Sequence, residues 1–197
     1  MYRKQMKLQK IFCLIALAAS VVVFIYSLGI MTDLYDCLYS TMMDASDINN
    51  TWVDGSQVYY YMQGFNRSFL SRSIVLLLLA CLLFIVNTDK RRKYYIANYV
   101  SVALFCAFDL FLVIWAHMNI EAYKALWLQV DFEALKVFAE NFKSTYSEST
   151  FWFDIHYAVF ALSIAAAALL VFNTYWKICL MKEESRLIKE GKGKEEA

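Results

Sequence analysis

Proline is absent from all 197 residues of this chain, and glycine occurs only five times. Channels and secondary transporters often interrupt their membrane helices with these two residues, because an interruption exposes backbone groups to ions and substrates. This chain has few means of breaking a helix. Its composition therefore argues against alternating access within this chain alone.

The five cysteines show no redox or disulfide pattern. None are spaced as C-x-x-C, which argues against a membrane thiol oxidoreductase. Only Cys37 falls in a segment predicted to face outward, so a disulfide within the outward loops would lack its second cysteine. The sequence also shows no phosphate-binding loop and no nucleophile with its base, and nothing in it predicts a nucleic-acid partner.

What the chain does contain is apolar sequence. Hydrophobic residues make up 60% and charged residues 19%, against roughly half and a quarter in an average soluble domain. The excess falls in four runs, at 11–31, 72–88, 96–118 and 156–178. Each run is close to the ~20 residues that a helix needs to cross the ~30 Å hydrocarbon layer. The sequence therefore predicts an all-α fold, an integral membrane four-helix bundle, with no cofactor.

Charge is distributed unequally along the segments between these runs. Basic residues concentrate in the N-terminal segment 1–10, in the short loop 89–95 and, mixed with five glutamates, in the tail 179–197. The long loops 32–71 and 119–155 are mainly acidic. By the positive-inside rule, both termini and the short loop are cytoplasmic, and both long loops face outward. The predicted location is the plasma membrane, as a multi-pass protein.

The basic cluster of the short loop has a second predicted role. Lysine and arginine beside a membrane attract anionic lipid headgroups by about 1 kcal/mol each. The predicted headgroup contacts are Lys90, Arg91, Arg92 and Lys93. Fixing the topology remains the simpler role of the same charges.

An apolar stripe in the second outward loop predicts an amphipathic helix of about 18 residues. Its most prominent members are Trp127, Leu128, Phe132, Leu135 and Phe142. Two ways of burying this face are open: packing on the first outward loop and the helix ends of the same chain, or docking of a second protein. Together, the two outward loops are predicted to form a small helical cap.

One acid, Asp109, falls near the middle of the third apolar run. A carboxylate at the bilayer centre costs about 2.5–3.5 kcal/mol even on the lenient insertion scale. Three interpretations follow: a neutral acid that forms a polar contact within the membrane, a contact with a partner subunit, or the handling of protons or ions. The last normally needs a chain of relays, which the sequence does not show.

The two histidines, His117 and His156, fall at the outward ends of the third and fourth runs. Glu121 lies one helical turn after His117, and Asp154 lies two residues before His156. These four side chains form a candidate zinc-type metal site at the membrane surface, with a spacing that differs from H-E-x-x-H. Histidines that are simply hydrogen-bonded to neighbouring acids are the alternative.

The layout of the chain resembles that of claudins and tetraspanins, with four spans, two outward loops and inward termini. The claudin motif Trp-Gly-Leu-Trp and the tetraspanin motif Cys-Cys-Gly are both absent from the sequence. The resemblance is therefore confined to the layout, and it implies no functional residue.

These features predict a non-enzymatic accessory or assembly subunit of a larger, transporter-like membrane complex. The prediction rests on the missing catalytic constellation, on the unbroken spans, and on the combination of Asp109 with an amphipathic outward helix. The expected partners are the lipid bilayer and other membrane subunits. Two alternatives stay open: a metal-binding protein or metalloenzyme at the membrane surface that uses His117 and His156, and a receptor for a small outward ligand.

Overall fold

The computed structural model describes residues 2–39, 53–88, 96–142 and 148–195, and all regular structure in these ranges is helical. The four long helices are α1 (Tyr2–Tyr39), α2 (Gln57–Thr88), α3 (Ile96–Trp127) and α6 (His156–Glu195). The described residues between α3 and α6 include two short helices, α4 (Phe132–Phe142) and α5 (Phe151–Asp154). The predicted all-α class is confirmed for the described residues.

Each of the four long helices is long and apolar enough to cross a membrane. α2 and α3 have 32 residues each, which corresponds to about 48 Å at 1.5 Å per residue. The hydrocarbon layer is only ~30 Å thick. The helices continue past the predicted apolar runs because no proline removes a backbone donor or blocks the preceding turn.

The long helices contact one another in pairs: α1 packs on α2 and α6, and α3 packs on the same two helices. Large apolar side chains fill the space between them. The fully buried ones include Phe69, Leu76, Leu83, Phe105 and Leu112. In a bilayer, lipid tails are as apolar as leucine, so close packing and interhelical hydrogen bonds hold such helices together.

An aromatic cluster joins three of these helices. The Tyr26 and Phe69 ring centroids are 5.8 Å apart, those of Tyr26 and Phe160 6.1 Å, and those of Phe69 and Phe160 6.3 Å, all edge to face. Edge-to-face pairs contribute about 0.5–1.5 kcal/mol beyond their buried area. The Tyr26 hydroxyl also donates to the carbonyl oxygen of Trp152 at 2.8 Å, which ties α1 to α5.

A layer of buried polar side chains links all four long helices at the ends that are predicted to be cytoplasmic. Gln9 Nε2 donates to Asn87 Oδ1 at 2.8 Å, and Asn87 Nδ2 donates to Ser101 Oγ at 2.9 Å. Gln5 Nε2 lies 3.4 Å from Asn173 Oδ1. A helix rotated about its axis would leave these buried amides unpaired, which costs about 1–3 kcal/mol per group. The layer therefore specifies which helix faces meet.

The two predicted outward loops meet through their backbones. Gly55 has a φ of +80°, and a Cβ at this position would lie 2.8 Å from the carbonyl oxygen of Gln129. The Asp131 amide donates to the Asp54 carbonyl oxygen at 3.0 Å. Glycine is needed here because it alone combines this φ with so close a backbone approach.

Trp127 lies at the centre of the contact between the loops and is fully buried. Its ring centroid is 4.8 Å from that of Tyr59 and 5.5 Å from those of Phe132 and Phe153. One indole ring thus joins the end of α3 to α2, α4 and α5. The aromatic contacts of Trp127 hold the described parts of the two loops together.

The structure divides the single amphipathic helix that the apolar stripe predicts. Trp127 ends α3, and α4 begins only at Phe132. Asp131 accounts for the division, since its Oδ1 accepts a hydrogen bond from the Ala134 amide at 3.0 Å and so caps α4. The Asp131 amide donates a hydrogen bond to the carbonyl oxygen of Asp54 on the other loop. The prediction of one continuous helix was wrong because a tertiary contact competes with the local pattern.

Replacing Gly55 with alanine should destabilise the contact between the loops. The φ of +80° costs an L-residue about 1–2 kcal/mol, and the new Cβ would press on the Gln129 carbonyl. We expect a thermal unfolding midpoint lower by about 2–8 °C for the detergent-solubilised protein.

Gly64→Ala is the matched control for this prediction. Gly64 lies within α2, and no atom is close to its Cβ position, so the higher helix propensity of alanine should leave the midpoint equal or raise it. Equal midpoints for the two variants would contradict the role assigned to Gly55.

Candidate functional site

Three of the four residues predicted for the metal site meet where the last third of α3 lies beside the start of α6. His117 and Glu121 are one turn apart on α3, so both side chains project from the same helical face. His156 is the first residue of α6 and is fully buried. The junction of two packed helices therefore brings together residues that are 39 positions apart.

The potential ligand atoms of these three residues all lie within 4.8 Å of one another. His117 Nδ1 and His156 Nε2 are 2.8 Å apart, at hydrogen-bonding distance. The same Nε2 atom is 3.7 Å from a carboxylate oxygen of Glu121. The Glu121 side chain is 38% exposed and that of His156 is 0% exposed, so the cluster extends from the protein interior to its surface.

Two further groups orient the cluster. His156 Nδ1 is hydrogen-bonded to the carbonyl oxygen of Phe153, which holds the proton of the neutral ring on Nδ1 and leaves a lone pair on Nε2. The Tyr157 hydroxyl donates to Glu121 Oε1 at 2.8 Å. Sequence reasoning missed both partners. Every residue has a backbone carbonyl, so no residue type in the sequence could mark the Phe153 carbonyl as a partner. Only the position of Tyr157 beside His156 could have indicated the role of its hydroxyl.

The contact between the two imidazole rings needs one nitrogen to donate and the other to accept. A neutral imidazole has one donor and one acceptor nitrogen, whereas the imidazolium ion has two donors. Because His117 Nδ1 faces His156 Nε2, two imidazolium rings would place one N–H against another. The pair therefore places one hydrogen-bond acceptor nitrogen beside the Glu121 carboxylate. It can share a proton or coordinate a cation.

Asp154, the fourth predicted ligand, does not join this group. Its carboxylate is hydrogen-bonded to the Lys124 ammonium and accepts a hydrogen bond from Thr150 Oγ1 at 2.7 Å. These residues lie in the predicted outward loop, where the hydrogen bond from Lys124 holds the pKa of Asp154 below its usual range. Its closeness to His156 in the sequence is misleading, because residues two apart on helical backbone do not face each other.

Asp109 is 1% exposed and lies against α6. Ser163 Oγ donates to its Oδ1 at 2.5 Å. The carboxyl group therefore has a partner within the chain, which favours the intramembrane polar contact among the three interpretations that the sequence left open. Since the side chain is buried, it offers little surface to a partner subunit.

The residues of the predicted docking face are divided between the interior and the surface. Trp127 and Leu135 are buried, and Phe132 packs against Trp127. Leu128 lies in the turn before α4 and is 61% exposed, as is Val137 on α4 itself. Most of the described members of the stripe are thus covered by the same chain, and Leu128 and Val137 reach the surface.

Two sets of predicted contacts fall outside the part of the chain that the structure describes. They are the headgroup cluster Lys90, Arg91, Arg92 and Lys93, and the side chain of Phe142. Both stay predictions from the sequence.

The contact between Asp109 and Ser163 can be measured by a double-mutant cycle with Asp109→Ala, Ser163→Ala and the double variant. We expect a coupling free energy of about 0.5–1.7 kcal/mol, the range of hydrogen bonds between membrane helices. The measurement is the free energy of unfolding in mixed detergent. A coupling of zero within error would show that the contact does not stabilise the α3–α6 pair.

Asp109→Asn is the conservative control for that cycle. The amide oxygen can still accept from Ser163, so the free energy of unfolding should stay within about 1 kcal/mol of the wild-type value. A loss as large as that of Asp109→Ala would show that the charge, and not the hydrogen bond, matters at this position.

Comparison of the chain with family models, with curated proteins and with solved structures gives no match. No relative therefore indicates a function, and the interpretation depends on the residues and contacts described above.

Proposed function

We propose that this chain is a non-enzymatic, multi-pass protein of the plasma membrane that serves as an accessory or assembly subunit of a larger membrane complex. In this proposal α1, α2, α3 and α6 form a transmembrane bundle with both termini in the cytoplasm. Four helices of sufficient length and apolarity and the basic segments predicted to face inward support this topology.

The observation that carries the proposal is apolar surface outside the predicted bilayer. Leu126, Leu128 and Val137 are 44%, 61% and 61% exposed, and all three lie in the predicted outward loop. Other exposed apolar residues, such as Leu78 and Ile85, fall in predicted spans, where lipid tails would cover them. Exposed apolar groups in water commonly mark sites of protein interaction where they form a contiguous patch.

The packing between the long helices supports a structural role for the chain. Phe69, Leu76 and Leu83 occupy successive pairs of turns along α2 and are fully buried. Buried hydroxyls pair across the helices, as in the 2.8 Å contact between Ser27 Oγ and Ser73 Oγ. An interior filled in this way along the described helices suits a rigid subunit better than a conduit.

The partner that fits this surface is an outward segment of another membrane protein. Two chains held in the same bilayer lose less translational and rotational freedom on association than two chains in solution. A small apolar contact outside the lipid can therefore make a large difference to association. Because Asp109 is buried, we expect the partner subunit to contact this outward apolar edge and not Asp109 in the membrane interior.

The combined substitution Leu128→Ser and Val137→Ser tests the proposal. Wild-type protein in mild detergent should purify with at least one other membrane protein in a fixed ratio, measured by native mass spectrometry. Burying each side chain contributes about 1.5–3 kcal/mol, so the double variant should bind more than about tenfold more weakly.

The matched control is Gln129→Ser with Glu133→Ser, two exposed polar neighbours whose replacement should leave the ratio unchanged. A wild-type protein that purifies alone and monomeric would overturn the proposal. An equal loss of the partner in both double variants would show that the apolar edge is not the contact.

A further inference from the structure

We propose that His117, Glu121 and His156 bind a divalent transition-metal ion, Zn²⁺ by its chemistry, between the outward ends of α3 and α6. This inference is independent of the accessory-subunit proposal, because it concerns a contact within one chain. It replaces the four-residue site predicted from the sequence by a site of three, since Asp154 is held by Lys124.

The donor atoms suit zinc. Two imidazole nitrogens and one carboxylate form a ligand set that zinc uses where three protein ligands leave a fourth position open. Magnesium and calcium prefer all-oxygen ligands, so a site with two nitrogens disfavours them. The described residues of the cluster include no thiolate, which separates this site from the sulfur-rich structural zinc sites.

The distances between the ligand atoms define how far each must move to accept the ion. Two ligand atoms that are each 2.0–2.1 Å from a tetrahedral zinc lie about 3.3 Å from each other. The nitrogens of His117 and His156 are 2.8 Å apart, and His156 Nε2 is 3.7 Å from the Glu121 oxygen. The first distance must open by about half an ångström and the second must close by slightly less. The His117 nitrogen and the Glu121 oxygen, which lie within 4.8 Å of each other, must close to the same separation, by up to about 1.5 Å. Rotation of the half-exposed Glu121 side chain would bring its oxygen toward both nitrogens.

The protonation of His156 is already the one that a metal ligand needs. Its Nδ1 is bonded to the Phe153 carbonyl oxygen, so in the neutral ring the Nε2 lone pair is directed at the cluster. His117 Nδ1 then carries the proton of the 2.8 Å contact, and on metal binding this proton must pass to His117 Nε2 or to water. Histidine ligands in zinc sites commonly donate their other N–H to such a carbonyl. The Tyr157 hydroxyl, at 2.8 Å from Glu121 Oε1, orients the carboxylate in the same manner.

The surroundings give the ion a route and a position for one more ligand. His156 is completely buried, but the Glu121 side chain is 38% exposed, so an ion can enter along the carboxylate. The fourth tetrahedral position then faces solvent and takes a water molecule. Without the ion, the same geometry would be a hydrogen bond between two histidines, and this is the competing interpretation that the experiment must exclude.

The experiment uses the full-length protein in detergent, stripped with a chelator and then titrated with ZnCl₂. We expect stoichiometric zinc after gel filtration, measured by inductively coupled plasma mass spectrometry, and a higher unfolding temperature with zinc than without it. His117→Ala and Glu121→Gln should each weaken zinc binding by more than about 100-fold, beyond the 10–100-fold cost of losing an orienting partner. Tyr157→Phe, which removes only such a partner, should weaken it by about 10-fold.

Asp154→Asn is the matched control, because it changes the neighbouring carboxylate that the structure leaves out of the cluster. It should retain stoichiometric zinc. Helix content from circular dichroism identifies any variant that fails to fold, and the partly exposed positions 117 and 121 keep the test valid if a variant at the buried His156 does not fold.

Cobalt substitution identifies the ligands directly. Tetrahedral Co²⁺ bound by nitrogen and oxygen should show visible d–d absorption without the near-ultraviolet charge-transfer band of a thiolate, which distinguishes this site from one built on the free cysteines such as Cys179. Absence of bound zinc in the wild-type protein would overturn the proposal. So would a thiolate band, or an Asp154→Asn variant that loses zinc as completely as His117→Ala.

Discussion

Hydrocarbon offers no hydrogen-bond partners, so a helix that crosses it must satisfy its own backbone donors and acceptors. In the proposed transmembrane bundle, the rest of the structure depends on that constraint. A chain without proline meets it there with four long uninterrupted helices, and backbone groups inside them are not available to ligands. Polar chemistry is therefore left to side chains between helices, as in the Gln9–Asn87 layer at one end, the Asp109–Ser163 contact and the His117–His156 pair at the other end.

The long helices could be predicted from the sequence because their signal is local. Apolar runs of this length leave few alternatives to a helix, and the all-α class follows from them. The arrangement of the two outward loops in the cap could not be predicted in the same detail. The break after Trp127 depends on the amide of Asp131, which pairs with the carbonyl of Asp54 on a loop more than 70 residues away. A stripe of apolar residues carries no information about such a contact.

The candidate site was predictable in part for the same reason. His117 and Glu121 share a face because they are one turn apart on a helix, and this much is visible in the sequence. The approach of His156 requires that α3 and α6 pack side by side, and the orientation of its ring requires the carbonyl of Phe153. Asp154 was misassigned because Lys124, its actual partner, is 30 positions away. Sequence neighbours are poor guides where a tertiary ion pair is available.

α6 runs without interruption from His156 to Glu195, from the histidine cluster to the charged tail. The rise from His156 to Glu190 is about 51 Å at 1.5 Å per residue. A helix without proline has no joint along this length, so it acts as a rigid rod. A tilt of only about 5° at the His156 end would displace the Arg186–Glu190 pair by about 4 Å over that rise. Any event that repositions the first turn of α6 must therefore either be absorbed by the packing of α6 on α1 and α3 or displace the opposite end of this helix.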